Sequence, residues 1–242
     1  MNFLQHHPFS VKAYFDQSLV LAYAVPAEEL RKYVPENLEL DLYNDTHAFV
    51  ALAMVETREL RPGVFPKFLG RSFTLLGYRA FVRYKGRDDR NRRGLYILRS
   101  ETNSPLMTLS GNIFTQYNYK TIDLNWQKNS DGSQIIETKQ GLHVKTGPSA
   151  EDVGLPASSP FPDWRQARRF AGPMPFTFTQ NAGKMITVEG VRSKWDPAPV
   201  EILEHKVPFF EQLGFSECIL ANAFVINDVP YEWKKGTIED CP

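Results

Sequence analysis

Cysteine is scarce in this chain, which has two, Cys218 and Cys241, among 242 residues. A small secreted scaffold held by disulfides carries more, so we expect a reducing compartment and place the protein in the cytoplasm. The segment Met1–Pro8 has no basic region followed by an apolar run, which argues against a signal peptide. Apolar runs such as Ala48–Val55 are far shorter than the roughly 18 residues of a membrane-spanning helix. The sequence therefore predicts a soluble protein without a membrane partner.

An excess of charge of either sign is also lacking. Lysine and arginine number 28, aspartate and glutamate number 28, and the pI is near 7.0. A simple nucleic-acid binder is strongly basic, so we expect no nucleic-acid partner. Apolar residues make up 42% of the chain and charged residues 23%, which is typical of a globular protein and not of an acidic disordered chain.

Signatures of several enzyme classes are missing. The sequence has no glycine-rich phosphate loop and no Gly-x-Ser-x-Gly elbow, so we predict no nucleotide cofactor and assign no cofactor at all. The five histidines offer no metal-binding pattern, because only His6 and His7 are adjacent and they lie near a terminus that we expect to fray. The others, isolated in sequence, are His47, His143 and His205. We predict exposed or singly hydrogen-bonded histidines and no metal site.

Aromatic residues and short apolar runs are abundant by contrast. Aromatic residues make up 13% of the chain, and turn residues separate about eleven runs that predict strands. Three or four short helices are expected, among them Ala27–Val34 after Pro26 and a second that begins at Ser104-Pro105. Asp131-Gly132 is a strong hairpin signal. Because many strands must close or stack to remove their edges, we predict one mainly β domain over residues 1–242, a barrel or sandwich with peripheral helices.

Local patterns add more specific expectations. Leu38–Tyr43 and His47–Thr57 predict a hairpin, and the charged run Lys85–Arg93 predicts the tip of another. The region Thr146–Asp163, rich in proline, serine and glycine, predicts a surface loop. Trp164–Phe170 fits a short helix or an edge strand.

Arginines within predicted strands are the first candidate for chemistry. Arg79, Phe81 and Arg83 fall on one face of a strand, and Arg99 and Glu101 share a face of the next. A buried arginine needs a carboxylate partner or an anionic ligand. The candidate carboxylate partners are Glu56, Glu59 and Glu101. One interpretation is an internal pocket for a carboxylate, and the other is a half-exposed sheet whose arginines face solvent.

A lysine between aromatic residues is the second candidate. Lys120 follows Tyr117-Asn118-Tyr119. A desolvated lysine has a lowered pKa and can form a Schiff base with a carbonyl compound. The alternative is a lysine on the polar face of an exposed strand.

Two segments near the start of the chain resemble a known family. Leu19–Leu30 and Val34–Tyr43 are similar to the opening of the YqjF-like family of uncharacterised conserved proteins, which has a strand, a Val-Pro-x-x-x-Leu helix, and a Pro-x-x-Leu-x-Leu-Asp turn before the next strand. Further matches are Ala48–Leu52, Leu60–Pro62, Arg79–Arg83 and Gly94–Leu98. The resemblance covers about residues 15–125 well. It places the chain in the acetoacetate decarboxylase-like superfamily, which implies a single-domain, cone-shaped antiparallel β-barrel with a central cavity.

The same resemblance implies what an active relative would need. In acetoacetate decarboxylases a cavity lysine, beside a second lysine, forms a Schiff base with a β-keto acid. Here the comparable stretch Phe114–Lys120 lacks paired lysines, and Leu75 stands where relatives tend to have glutamate. The resemblance therefore implies the fold more strongly than the reaction.

Three functional hypotheses follow, and they leave open whether the protein is an enzyme. The first is a barrel pocket for a small anionic or carbonyl-containing molecule, with Arg79 and Arg99 orienting a carboxylate and Glu56 or Glu101 balancing the charge. In this hypothesis the cavity-lining residues are Asn103, Tyr117 and Tyr119. The second is a Schiff-base lyase, aldolase or decarboxylase that acts on keto acids through Lys120. The third is a structural or interaction protein with a filled barrel. A small-molecule ligand is the expected partner, and barrel relatives commonly associate, so a homo-oligomer is compatible with each hypothesis.

Overall fold

The structure is a computed structural model that describes residues 4–150, 152–172 and 174–241. Within these residues it contains fourteen strands and four α-helices. The strands are β1 (Val11–Pro26), β2 (Glu39–Leu40), β3 (His47–Pro62), β4 (Arg71–Lys85), β5 (Asn91–Thr102), β6 (Tyr119–Thr121), β7 (Leu124–Lys128), β8 (Gln134–Thr138), β9 (His143–Ser149), β10 (Phe176–Asn181), β11 (Lys184–Arg192), β12 (Ala198–Lys206), β13 (Ile219–Trp233) and β14 (Thr237–Asp240). The helices are α1 (Ala27–Arg31), α2 (Pro105–Phe114), α3 (Trp164–Phe170) and α4 (Pro208–Gln212). No helix in the described ranges is long and apolar enough to cross a bilayer.

Seven strands form a closed ring of backbone pairings. The order is β11-β10-β5-β4-β3-β1-β13, and β13 returns to β11 through Gly190 opposite Trp233 and Arg192 opposite Tyr231. The prediction of a purely antiparallel arrangement is wrong at two places. Outside the ring, β6 runs parallel to β5, and within the ring β5 and β10 run parallel. A parallel neighbour needs a long crossover connection, and more than 70 residues separate these two strands.

The four remaining long strands extend the sheet beyond the ring. β12 pairs with the first half of β13, and β9, β8 and β7 follow in order. This extension covers the outer face of the ring, where it buries the largest apolar cluster of the protein. Tyr23, Leu52 and Tyr78 contribute to this cluster from the ring, and Ile136 and Val144 contribute from the extension.

Side chains of different size point to the two faces of the ring strands. In β1, Leu21 and Tyr23 belong to the outer cluster, whereas Ala22 and Ala24 belong to an inner one. The alternation follows from the two-residue period of a strand. Ala51 of β3 is another small inward residue. Small side chains inside the ring leave room there for end plugs and for cavities.

Each end of the ring is plugged by a different segment. At one end Phe161, just before α3, stacks on Phe49 with ring centroids 5.4 Å apart, and Phe81 also stacks on Phe49 at 5.8 Å. At the other end α2 and the N-terminal segment lie together, since the backbone N–H of His7 donates to the carbonyl of Phe114 at 2.8 Å. The ring interior lies between these plugs.

Several local predictions are confirmed. Ser104 caps α2, since its hydroxyl accepts from the backbone N–H of Met107 at 3.2 Å. The turn at Asp131-Gly132 joins the antiparallel pair β7 and β8. Trp164–Phe170, which fitted a helix or an edge strand, is the helix α3.

The predicted hairpin of Leu38–Tyr43 with His47–Thr57 is reduced to a single antiparallel bridge between Tyr43 and His47. β2 pairs with β4, where Glu39 lies opposite Arg83. A buried ion cluster fixes this pairing: the fully buried Asp41 accepts from Nε of Arg83 at 2.6 Å and from Nε of Arg93 at 2.7 Å. Two charge-assisted hydrogen bonds compensate for burying the carboxylate, and they hold residue 41 against β4 and β5.

Candidate functional site

Two adjoining chambers lie inside the ring. The chamber beside α2 has a volume of about 160 Å³ and is called the first chamber, and the one on the α3 side has about 110 Å³ and is called the second chamber. The residues that line both are Leu75, Arg79, Thr177 and Trp233. Arg79 therefore stands where the two chambers meet.

Arg79 of β4, which is partly buried, presents a cation to both chambers. Its Nε is buried and has no hydrogen-bond partner among the described residues. Gly77, two residues earlier on the same face, makes room for the guanidinium, because a Cβ atom there would lie 2.8 Å from Nε. Arg79 thus lies inside the ring without a carboxylate partner among the described residues, which is the condition under which the sequence analysis expected an anionic ligand.

A second arginine, Arg192 at the end of β11, lines the second chamber. Its Nη2 is buried and likewise has no partner in the part of the chain that the structure describes. The guanidinium carbon lies 4.1 Å from the ring centroid of Trp195 and 5.9 Å from that of Tyr231. Burial lowers the pKa of Arg192, and the positive charge of Arg79 acts in the same direction.

Acidic side chains are missing from the chamber walls. Of residues 4–150, 152–172 and 174–241, no Asp, Glu or Lys lines either chamber. Nor do these ranges contain a group of three metal-ligating side chains. The two chambers therefore present positive charge with no acidic side chain on their walls, which favours an anionic ligand.

Two tyrosines supply hydroxyl groups to the first chamber. The hydroxyl of Tyr117 is buried without a partner in the described structure, and burial raises its pKa. Burial also raises the pKa of Tyr119 to about 12, although Arg79 opposes the shift. Both phenols are neutral at pH 7 and can donate a hydrogen bond to a ligand.

His7 adds an imidazole to the same chamber. Its Nδ1 is buried and unpartnered within the described ranges, and its ring centroid lies 6.5 Å from that of Tyr117. Burial lowers the pKa of His7 to about 4, so the ring is neutral at pH 7. The prediction of a frayed, exposed histidine is wrong here, because the backbone of His7 is tied to Phe114 on one side and to Gly236 on the other.

Arg99 and Glu101, predicted to share the pocket with Arg79, lie on the outer face of the ring. They form an ion pair, and the hydroxyl of Tyr78 donates to Oε2 of Glu101 at 2.9 Å. An irregularity between β4 and β5 explains the difference, since Tyr78 lies opposite Arg99 whereas Arg79 lies opposite Ile97. Ile97 consequently lines the first chamber, and Arg99 and Glu101 do not.

Glu56 and Asn103 also lie outside the chambers. Glu56 pairs with Lys128 of β7, so it links the ring to the outer extension. Asn103 is exposed, and its Oδ1 accepts from the backbone N–H of Thr74 at 2.9 Å. Both residues hold neighbouring elements together, and neither lines the cavity.

Lys120 is exposed to solvent. Tyr119 points into the first chamber, so the alternation of β6 directs its neighbour Lys120 to the opposite side. The structure therefore does not support a Schiff base on Lys120 inside the ring. Of the eight predicted site residues, three line the cavity: Arg79, Tyr117 and Tyr119.

Residues that the sequence analysis did not select complete the site. They are His7, Arg192, Trp195, Tyr231 and Trp233. Tyr231 and Trp233 carry a usable signal, because their two-residue spacing places them on one face of β13. The role of Arg192 depends on the pairing of β11 with β13, which the sequence does not display.

A family model described as DUF2071, an uncharacterized conserved protein, matches residues 12–229. The chain belongs to this family. The resemblance to a family of uncharacterised conserved proteins is therefore confirmed, and the match extends into β13. A search of curated proteins finds no significant match.

Solved structures with the same fold are acetoacetate decarboxylase-like proteins. Acetoacetate decarboxylase from Legionella pneumophila subsp. pneumophila str. Philadelphia 1 superposes with a TM-score of 0.62 at 13% identity, over 96% of this chain and 88% of that one. The enduracididine biosynthesis enzyme MppR gives 0.60 at 9% identity, over 96% and 88%. An acetoacetate decarboxylase-like enzyme from Sphingomonas wittichii RW1 gives 0.58 at 10% identity, over 98% and 94%. Identities this low establish the fold and carry no function.

Proposed function

We propose that the closed ring is a barrel whose interior binds a small organic carboxylate, in a single cytoplasmic domain. The observation that carries the proposal is the guanidinium of Arg79, which has a buried Nε, lacks an acidic partner within the described residues and stands between two chambers. A buried charge without a partner is costly, and a bound carboxylate would compensate for it with paired hydrogen bonds.

The first chamber indicates the size and polarity of the part of the ligand that lies away from the carboxylate. Its volume of about 160 Å³ is close to that of an engineered cavity of about 150 Å³ that binds benzene. Its walls are mainly apolar, with Phe9, Met107 and Phe114 among them. The hydroxyl of Tyr117 and Nδ1 of His7 are available for a further oxygen. We therefore assign to the ligand a carboxylate at Arg79 and an apolar body of about the size of a benzene ring.

The structural neighbours support a small carboxylate. MppR has been solved in complex with pyruvate and with the condensation product of pyruvate and imidazole 4-carboxaldehyde. These ligands belong to that protein, and they show that this fold accommodates small acids. The two unfilled chambers also weaken the hypothesis of a filled barrel with a purely structural role.

Calorimetric titration with benzoate and with its uncharged analogue benzamide tests the proposal. Benzoate should bind, and benzamide should bind at least about tenfold more weakly, because it lacks the charge that Arg79 recognises. Arg79→Met should abolish the preference for benzoate. Arg71→Met, which removes an exposed arginine from the same strand, is the matched control and should leave it unchanged.

Two results would contradict the proposal. One is equal binding of benzoate and benzamide by the unmodified protein. The other is a preference for benzoate that survives Arg79→Met while the variant remains folded by circular dichroism.

A further inference from the structure

The second chamber is lined by two arginines, and their number indicates how many acid groups the ligand has. Arg79 and Arg192 both line it, and Arg192 carries a buried nitrogen without a described partner. We infer that the ligand has two acid groups: it is a dicarboxylic acid with one carboxylate at Arg79 and the other at Arg192. The inference rests on the proposed function and narrows its class of ligand.

Charge balance is the first argument. A monocarboxylate bound at Arg79 would leave Arg192 without a counter-charge, because no acidic side chain of the described residues lines the chamber. Arg192 forms no ion pair within those residues either. Two like charges that line one chamber repel each other, and a bound dianion would offset both that repulsion and the cost of desolvating each guanidinium.

The fixed position of Arg192 is the second argument. Its guanidinium lies over the ring of Trp195, and the ring of Tyr231 is the next aromatic face. Stacking holds the plane of the guanidinium while leaving edge nitrogens available for a planar carboxylate. Ser18 and Thr177 also line this chamber, and their hydroxyls can donate to the remaining carboxylate oxygens.

The division of space is the third argument. The second chamber, at about 110 Å³, is the smaller of the two, and both arginines border it. The larger first chamber is bordered by Arg79 and by mainly apolar side chains. A ligand with two carboxylates near one end and an apolar substituent at the other fits this division. Phenylsuccinate has that arrangement, and 3-phenylpropanoate is the same molecule without one carboxylate.

Calorimetry with these two probes on the full chain tests the inference. The unmodified protein should bind phenylsuccinate at least about tenfold more tightly than 3-phenylpropanoate. Arg192→Met should remove this difference by weakening the binding of phenylsuccinate. Lys194→Met removes an exposed cation two residues away and serves as the matched control, which should keep the difference.

The possible failures are distinguishable. Equal affinity for the two probes, with both lost in Arg79→Met, would overturn the second acid group and leave the proposed function standing. A preference for phenylsuccinate that persists in Arg192→Met would also overturn the inference. Failure of both probes, and of benzoate, to bind in an Arg79-dependent way would remove the proposed function itself. If Arg192→Met does not fold, Arg192→Lys replaces it: a point charge without the planar fork should retain only part of the preference.

Discussion

Gly77 and Arg79 occupy the same face of β4, and the absence of a side chain at residue 77 is what lets the guanidinium of Arg79 fold across the strand. A Cβ atom at Gly77 would lie 2.8 Å from Nε and 2.9 Å from Nη2 of Arg79. Both distances are shorter than ordinary van der Waals contacts. The binding site thus depends on a residue that contributes no functional group of its own.

Gly77→Ala should therefore weaken ligand binding without unfolding the protein. The new methyl group displaces a flexible side chain rather than backbone, so the free energy of unfolding should change by less than about 1 kcal/mol. The affinity for benzoate should fall at least about tenfold, measured by calorimetry. Gly154→Ala is the control, because a Cβ atom there meets nothing within 4 Å. Unchanged benzoate affinity in Gly77→Ala would show that Arg79 is not held where the ligand needs it.

Tyr117→Phe should change stability and binding in opposite directions. The hydroxyl of Tyr117 is buried without a partner in the described part of the protein, so removing it should raise the free energy of unfolding by about 1 kcal/mol. Removing the same donor from the first chamber should weaken benzoate binding. Urea unfolding and calorimetry on one preparation measure both effects. A destabilised variant with unchanged binding would indicate that this hydroxyl has a structural partner.

His7 should make the protein less stable in acid. Its pKa is lowered by burial from 6.5 to about 4 in the folded protein, so below pH 6.5 the unfolded state binds more protons than the folded state. This contribution to stability is present at pH 7 and is lost as the pH falls towards 4. Between pH 7 and pH 5 the loss should be about 2 kcal/mol.

The comparison that isolates this effect uses His7→Asn in urea unfolding at pH 7 and pH 5. Asparagine does not titrate, and it tolerates the positive φ of 57° that residue 7 adopts. The variant should lose about 2 kcal/mol less than the unmodified protein over this range. Parallel losses in the two proteins would mean that His7 is protonated in the folded state at pH 5.

Asp41→Asn should be strongly destabilising. Asp41 is fully buried and accepts hydrogen bonds from Arg83 and Arg93, so the substitution leaves two cations without their counter-charge. Because these arginines keep partial contact with solvent, we expect a loss near the lower end of the usual range, about 3 kcal/mol. Asp88→Asn removes a carboxylate that pairs with Arg92 on the exposed hairpin and should cost less than about 1 kcal/mol. Equal effects of the two variants in urea unfolding would contradict the structural role of Asp41.

Lys120 should not react with keto acids as a cavity lysine does. Borohydride reduction in the presence of pyruvate should leave no stable adduct on Lys120 beyond the level seen on other exposed lysines, because Lys120 is solvated and lies outside the chambers. Peptide mass analysis measures the adduct. Selective labelling of Lys120 at pH 7 would restore the Schiff-base hypothesis.

The sequence predicts the class of fold because its dominant signals are local. Alternating apolar residues, the Asp131-Gly132 turn and the Ser104 cap each depend on neighbouring residues, and each is confirmed. The pairing of β2 with β4 depends on the distant contact of Asp41 with Arg93, so the sequence favoured the nearer partner β3. Residues close in sequence predict elements well, and residues far apart decide how these elements pair.

The candidate site could likewise be predicted where it depends on one strand, and not where it depends on how strands pair. Arg79 was selected because an arginine inside a strand is costly to bury. That cost does not depend on which strands pair, so the argument can be made from the sequence alone. Arg99 was predicted to line the pocket and does not, because one irregularity between β4 and β5 reverses which residues face inward. A two-residue period cannot show such a shift. Arg192 was not selected from the sequence, because it lies opposite Tyr231 only once β11 and β13 have paired.

The pairing of β11 with β13, which closes the ring, is short and is called the seam. β11 and β13 meet over three residue pairs, Gly190 with Trp233, Val191 with Glu232 and Arg192 with Tyr231, whereas β1 and β3 are paired along nearly their whole length. A diacid that bridges Arg79 on β4 and Arg192 on β11 would tie the seam strand to the far side of the ring, as a cross-link does. Because a ligand that binds only the closed form stabilises it by mass action, amide hydrogen exchange along residues 190–192 and 231–233 should slow most when the chambers are occupied. Ligand binding would then stabilise the short β11–β13 pairing that closes the ring.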